Sequence, residues 1–320
     1  DKLGVNDSNI EAIDGHYNFR ERILAERLSM SRSGVIVTST SQERREQYGH
    51  RASSGAVNVE DAARFAVIPP GVDLSVFEQR GDPKLEEEVQ GVIESRLERD
   101  LGPERAALPA VIASSRIDPK KNHLGLVRAF AKSPTLAARA NLVILTGSLD
   151  DPLRDDGRAS ESERGVLAEI REVIAEGRLE GKVSAFALRG QKALAAGYRY
   201  LARRRSVFSL TALYEPFGLA PLEAAAAGLP VVVTKNGGPS ESFFDGTTSF
   251  GVLVDTSEPH EIAEGLLRAL GDEWDELARL GHARVLDKYT WSRTAEGYLE
   301  ALERARPGGE PREPLLPIHP

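Results

Sequence analysis

Two glutamates eight positions apart, Glu215 and Glu223, frame the segment LYEPFGLAPLEAAAAG at residues 213–228. Pro216 and Pro221 suit the start of a helix, where a missing N–H is not needed. Residues 222–227 are strong helix formers and Gly228 is a natural stop, so the pattern predicts a helix over 217–227. Glu215 then stands just outside the helix N-terminus and Glu223 further inside, roughly on the same side. The first-turn N–H groups between them, together with the helix dipole, favour an anion. Two carboxylates that accept from hydroxyls, with an anion seat between them, match a sugar–diphosphate–ribose ligand, that is, a sugar nucleotide. An alanine-rich helix that merely carries two glutamates has the same spacing, so the reading needs support elsewhere.

Upstream, residues 113–122 read ASSRIDPKKN. They follow an apolar run, 108–113, that fits a buried parallel strand. They precede HLGLVRAFA, whose apolar spacing is helical, with Asn122 as its N-cap. Arg116 and Lys121 would leave the C-terminal end of a strand, where open α/β sheets bind ligands. An arginine forks onto phosphate oxygens, and a lysine adds a point charge beside it. A solvated basic loop is the alternative. Two phosphate-suited sites in one strand–helix array favour the ligand.

The elements that must position these groups are regular from residue 108 onward. Strands are expected at 108–114, 141–147, 182–187, 206–211, 229–234 and 251–254. Helices are expected at 122–132, 161–178, 190–204, 217–227, 238–244 and 258–270, then at 272–288 and 291–305. Such alternation indicates α/β architecture with a doubly wound parallel sheet. The segment before it has a helical stretch (16–31), a strand from Gly34 ending in hydroxyl residues, and a strand at 65–72 closed by Pro-Pro-Gly. Thr40 or Ser41 would cap a short helix running to Tyr48. This front part is too short for a complete doubly wound domain. The expected division is 1–80 as part of a first Rossmann-like domain, 81–290 as a complete nucleotide-sugar-binding one, 291–306 as a returning helix and 307–320 as a loose, proline-rich tail.

Composition bounds the partners. The chain has 320 residues, 41% hydrophobic and 28% charged, as in ordinary globular proteins. A net charge of −8 argues against nucleic acid as the main partner. The absence of cysteine excludes disulfides, thiol nucleophiles and thiolate metal sites. No apolar stretch reaches membrane-spanning length and no secretory signal opens the chain, so a cytoplasmic setting is expected. Asp150, Asp151, Asp155 and Asp156 suggest metal-binding pairs but lie among turn residues with no histidine nearby, which favours a solvated charge run. None of the six histidines has metal-ligand spacing. Metal is therefore expected to be absent, although Mg²⁺ could accompany a diphosphate. Gly237-Gly238-Pro239 would either bring N–H groups to a phosphate or form a tight strand–helix turn. A Rossmann dehydrogenase fits poorly, because no Gly-x-Gly-x-x-Gly follows the first strand of the second domain.

Taken together, the Glu-x7-Glu segment, SRIDPKKN at 115–122, VIPPGVD at 67–73 and KNGGPSE at 235–241 resemble glycosyltransferase family 4. RILAERL at 22–28, TSTSQE at 38–43, AVNVED at 56–61 and YTW at 289–291 are similar to its sucrose-synthesising branch, with bacterial sucrose-phosphate synthases the nearer match. The resemblance covers nearly all of residues 1–305. It implies the GT-B fold, two Rossmann-like domains, and retaining transfer of glucose from UDP-glucose to fructose 6-phosphate. It implies that Arg116 and Lys121 hold the diphosphate, Glu215 contacts the donor sugar and Glu223 holds the ribose. The backbone of Phe217, Gly218, Leu219 and Ala220 would line sugar and phosphates, and the loop near Leu188 would meet the base. In that family a glycine-rich acceptor loop and a catalytic histidine precede the stretch matching Asp1. The chain, with its single methionine at Met30, is thus expected to hold the donor and to lack much of the acceptor site. Arg22 is the candidate for the acceptor phosphate, with a surface salt bridge as its alternative. His16 is a weak substitute for the family's histidine. Sucrose synthase or mannosylfructose-phosphate synthase chemistry, or a non-catalytic nucleotide-sugar-binding module, are the other readings.

Overall fold

Residues 110–114 are all apolar or small, flanked by Pro109 and a polar loop, and they form a strand whose side chains are buried on both faces. The same logic repeats along the chain. The computed structural model describes residues 14–15, 18–78 and 81–305. His16 and the tail at 307–320 lie outside the described residues. Contacts divide the chain into two units, Asp1–Pro70 with Trp291–Pro320, and Gly71–Thr290.

In chain order, the first unit contains helix α1 (Phe19–Arg32) and two parallel strands, β1 (Ile36–Thr38) and β2 (Phe65–Val67). Thr40 Oγ1 accepts from Glu43 N at 2.9 Å and opens a short π-helical turn, Glu43–Gln47. The second unit holds α2 (Leu74–Phe77), α3 (Pro83–Asp100), β3 (Ala110–Ser114), α4 (His123–Lys132), α5 (Pro134–Arg139) and β4 (Asn141–Thr146). It continues with α6 (Glu161–Glu176), β5 (Val183–Ala187), α7 (Gln191–Arg203), β6 (Val207–Leu210), α8 (Leu219–Ala226) and β7 (Val231–Thr234). It closes with α9 (Pro239–Ser242), β8 (Val252–Val254), α10 (Pro259–Ala269) and α11 (Trp274–Lys288). The last described helix, α12 (Trp291–Arg304), belongs to the first unit, where Ala301 packs with Ala66 and Ile68 and Thr294 donates to Pro69 O at 2.8 Å.

The second unit carries a six-stranded sheet in the order β5-β4-β3-β6-β7-β8, parallel throughout. The strand order reverses between β3 and β6, which is where doubly wound sheets open a crevice at their carboxyl ends. Alternate strand residues face opposite layers. Ala110, Ile112, Val143 and Leu145 pack with Ile93 of α3, Leu201 of α7 and Leu222 of α8. Val111, Ala113, Leu142 and Ile144 pack with Leu126 and Phe130 of α4, Ile170 of α6 and Leu266 of α10.

The structure differs from the sequence reading in details. The unit boundary falls at Pro70, because Val72 N donates to Tyr289 O at 2.8 Å and Phe77 is buried beside Tyr198 in the second unit's core. The helix expected over 217–227 begins only at Leu219, with Gly218 at φ 90 as its N-cap. Phe217 and Gly218 therefore stand in the loop. Three of the four aspartates of 150–156 engage arginines: Asp150 with Arg189, Asp151 with Arg99 and Arg154, and Asp156 with Arg171, while Asp155 accepts from Gly157 N at 3.0 Å. Asp100, on α3, is the centre of that network, bonded by Arg99, Arg154 and Ser184. Among the described residues no helix is long and apolar enough to cross a membrane.

Candidate active site

Two loops meet at the carboxyl ends of the strands flanking the reversal. The first leaves β3 through Ser115 and Arg116 and enters a 3₁₀ turn, Pro119–Lys121, where the Asp118 side chain accepts from Lys120 N at 2.8 Å. Asn122 closes that turn at φ 54, a left-handed conformation that asparagine tolerates. Its side chain also caps α4, accepting from Gly125 N at 3.0 Å, and donates to Thr256 O at 2.8 Å. The second loop leaves β6 and reaches α8 through Glu215, Pro216, Phe217 and Gly218. Leu213 N donates to Lys120 O at 3.0 Å and Thr211 Oγ1 donates to Asn122 O at 3.2 Å, so the loops are tied by backbone as well.

Their side chains meet in an ion pair. Lys121 Nζ lies 2.6 Å from Glu215 Oε2, with the lysine side chain 24% and the carboxylate 13% exposed. The partial burial makes the charges count for more than at an open surface. Arg116 is exposed, and among the described residues its guanidinium has no ion pair or hydrogen bond. The site thus holds one paired and one uncommitted cation.

The turn 235–239 locks Glu215 from behind. Glu215 N donates to Asn236 O at 3.1 Å, and Gly238 N donates to Glu215 O at 2.9 Å. Gly237 sits at φ 102, and a Cβ there would lie 2.0 Å from Glu215 O. A tight turn accounts for Gly237 and Gly238, whose close approach fixes the Glu215 backbone; the Gly238 N–H is already engaged. The N–H groups of Leu219 and Ala220 open α8 and have no intrahelical acceptor, while Pro221 has none to offer. They remain as donors at the start of α8.

Glu223 lies inside α8 and is half-buried, and burial raises its carboxyl above the ordinary range. It has no ion pair or hydrogen bond through its carboxylate among the described residues. The fully buried Tyr198 phenol is raised by burial, opposed by nearby Ser114 and reinforced by the charge of Glu223, and it has no hydrogen-bond partner of ordinary geometry. These residues bring Glu223 to the same strand ends. Leu188 follows β5 on the sheet's edge, its side chain buried in the core and its N–H bonded to Thr146 O at 3.2 Å. Only its carbonyl is left for a ligand. Arg22 lies on α1 in the first unit, exposed, with no ion pair among the described residues. Two concavities of the second unit, one lined by Leu97, Leu101 and Arg204 and another by Asp100, Arg154 and Arg171, contain none of these groups. The candidate site lies at the strand ends where the two loops meet.

Sequence reasoning passed over His123. Its imidazole is 2% exposed, and Nε2 lies 2.9 Å from Ser115 Oγ and 3.2 Å from Arg116 O. Burial lowers its pKa to about 4, with the Arg116 carbonyl opposing and Lys121 adding to the depression. A signal existed: His123, Leu126, Val127 and Phe130 share one helical stripe, and a histidine on an apolar face needs a polar partner.

Fold and site together define a Rossmann-like α/β unit of the GT-B type, with an anion-suited group of residues at its reversal point. The family model for glycosyl transferases group 1 matches residues 99–284, and the chain belongs to that family. It is 34% identical over 326 residues to a sucrose-phosphate synthase of Zea mays, covering 92% of this chain and 30% of the maize protein. It is 34% identical over 296 residues to a probable sucrose-phosphate synthase of Thermosipho melanesiensis, covering 92% and 60%. The chain thus spans less than two thirds of these relatives' length. Among solved structures it resembles a sucrose-phosphate synthase of Thermosynechococcus elongatus, with a TM-score of 0.63 at 23% identity over 89% of this chain and 61% of that one. It also resembles Anabaena HepE in complex with UDP and glucose, with a TM-score of 0.65 at 19% identity over 88% and 66%. At these identities the structural likeness concerns the fold.

Proposed function

We propose that the protein is a retaining glucosyltransferase that moves glucose from UDP-glucose to fructose 6-phosphate, giving sucrose 6-phosphate. One observation carries the donor half: Lys121 and Glu215, far apart in sequence, meet at 2.6 Å on the strand ends flanking the sheet's reversal. A lysine for the diphosphate and a carboxylate for the sugar hydroxyls are thereby adjacent. Arg116 supplies the second cation, Leu219 and Ala220 supply N–H donors, and Glu223 accepts from the ribose hydroxyls.

Bond cleavage between the anomeric carbon and the diphosphate leaves negative charge on the leaving phosphate. Positive donors aimed at that oxygen lower the barrier, because they interact more strongly with the transition state than with the bound donor. As the diphosphate enters, Lys121 turns from Glu215 towards the phosphate and frees the carboxylate for the hexose. The acceptor, in this reading, follows from the sucrose-phosphate synthases to which the chain is similar, and Arg22 is the residue assigned to its phosphate.

The test has two arms. Calorimetry with UDP and UDP-glucose should show binding that Arg116→Ala and Glu223→Gln weaken. A transfer assay should yield more product with fructose 6-phosphate than with free fructose. Preference for free fructose would replace the acceptor with that of a sucrose synthase. Donor binding without transfer would make the protein a nucleotide-sugar-binding module, and no binding would end the proposal.

A further inference from the structure

We infer that His123 is a positioning residue for the phosphate-binding arginine: its imidazole fixes the backbone from which Arg116 reaches the donor. The inference rests on the donor-site reading above and adds a residue to it.

Arg116 has an exposed side chain on a loop between β3 and the 3₁₀ turn. Around it, Ile117 is anchored by burial and Lys120 by the bond from Leu213. The Arg116 carbonyl has two polar partners among the described residues, the neighbouring Ser115 hydroxyl and the His123 ring, whose Nε2 lies 3.2 Å from that oxygen and ties it to α4. The same nitrogen meets Ser115 Oγ at 2.9 Å, and Ser115 Oγ lies 3.4 Å from Arg116 O. The three groups close a small ring at the root of the guanidinium's reach.

The chemistry fixes the tautomer. A carbonyl oxygen only accepts, so Nε2 carries the hydrogen and shares it between Arg116 O and Ser115 Oγ, while the serine hydroxyl turns to Arg116 O. Nδ1 is then bare, and it is buried without a partner. A second proton on Nδ1 would have no acceptor and would face the positive charge of Lys121, with Asp118 the one opposing charge. The ring therefore remains neutral and donates in a fixed direction.

Position matters because a guanidinium binds two phosphate oxygens in a plane. Its value depends on how little freedom remains to be lost when the donor arrives. His123, first residue of α4, is held by the apolar stripe it shares with Leu126, Val127 and Phe130. It transmits the rigidity of the helix to an otherwise exposed side chain. The histidine needs no contact with the donor to do this.

The test is a double-mutant cycle on the full chain with UDP as the probe. His123→Phe keeps the ring volume and removes the donor; His123→Gln keeps an N–H near the Nε2 position. Calorimetry should show UDP binding about tenfold weaker in His123→Phe, the worth of one such hydrogen bond, and nearly restored in His123→Gln. In an Arg116→Ala background, His123→Phe should change nothing further, because the residue acts through Arg116. An equal loss in both backgrounds, or Gln no better than Phe, would overturn the inference and leave a merely structural histidine. Should His123→Phe fail to fold, His123→Asn, polar but too short to reach Arg116 O, should give the same pattern. If the unaltered chain binds no UDP, the donor-site reading fails first, a result distinct from a flat cycle on a chain that binds.

Discussion

The buried imidazole of His123 also makes the folded chain sensitive to mild acid in a way that can be calculated. Its pKa falls from 6.5 to about 4 on folding, because burial disfavours the imidazolium. The unfolded chain therefore binds a proton that the folded chain refuses between these two values. Stability from this residue is fully present above about pH 6.5, declines as pH falls, and levels off below about pH 4. Each unit of separation is worth about 1.4 kcal/mol, so the loss is about 2 kcal/mol near pH 5 and about 3 kcal/mol at its limit. Other groups titrate in the same range, so the measurement is a difference. Unfolding free energies of the natural protein and of His123→Gln, taken in urea from about pH 7.5 to 4.5, should converge as the pH falls, since the variant has nothing to protonate there. The substitution has its own constant cost, which shifts the variant's curve without altering its slope. Curves that remain parallel over the whole range would refute the reasoning, because they would mean the folded imidazole accepts its proton as readily as a solvated one.

Three further predictions concern the candidate site itself. Arg116→Ala or Lys121→Ala should reduce turnover by about 10²–10³-fold, the cost of removing a transition-state charge partner, while donor affinity falls less; steady-state kinetics beside calorimetry checks this, and lost affinity with unchanged turnover contradicts it. Glu223→Gln should weaken UDP binding about tenfold yet raise the melting temperature at neutral pH. Burial raises this carboxyl, so its contribution favours the fold below the ordinary carboxylate range and is lost as pH rises through the raised value, a loss the neutral amide avoids. Gly237→Ala would drive a methyl to 2.0 Å from Glu215 O at φ 102 and should cost about 1–3 kcal/mol, seen as a lower melting temperature together with weaker donor binding; an unchanged melting curve would show that the turn yields freely.

How much of this was legible in the sequence follows from which interactions are local. The strand at 110–114 and the helices that follow it are written in runs of apolar residues, because parallel strands are covered on both faces and helices on one. Arg116, Lys121, Glu215 and Glu223 were legible as candidates because their types suit a diphosphate and its two sugars. Their assembly was not. Lys121 meets Glu215 only because β3 and β6 become neighbours in the sheet, and strand order is not a local property. The start of α8 was misplaced for a related reason: propensity allows a helix from Phe217, but Gly237 and Gly238 press on Glu215, Pro216 and Phe217 and hold that stretch in the loop, leaving Gly218 at φ 90 to begin the helix. His123 shows both halves at once. Its place on the apolar stripe is written in the spacing to Leu126 and Phe130, so burial was predictable. Its partner is the carbonyl seven residues back, reached only because Asn122 turns left-handed and folds α4 over the loop. A residue whose purpose is to hold another's backbone leaves no chemical signature of its own. It is found by asking where a buried polar group sends its hydrogen bond.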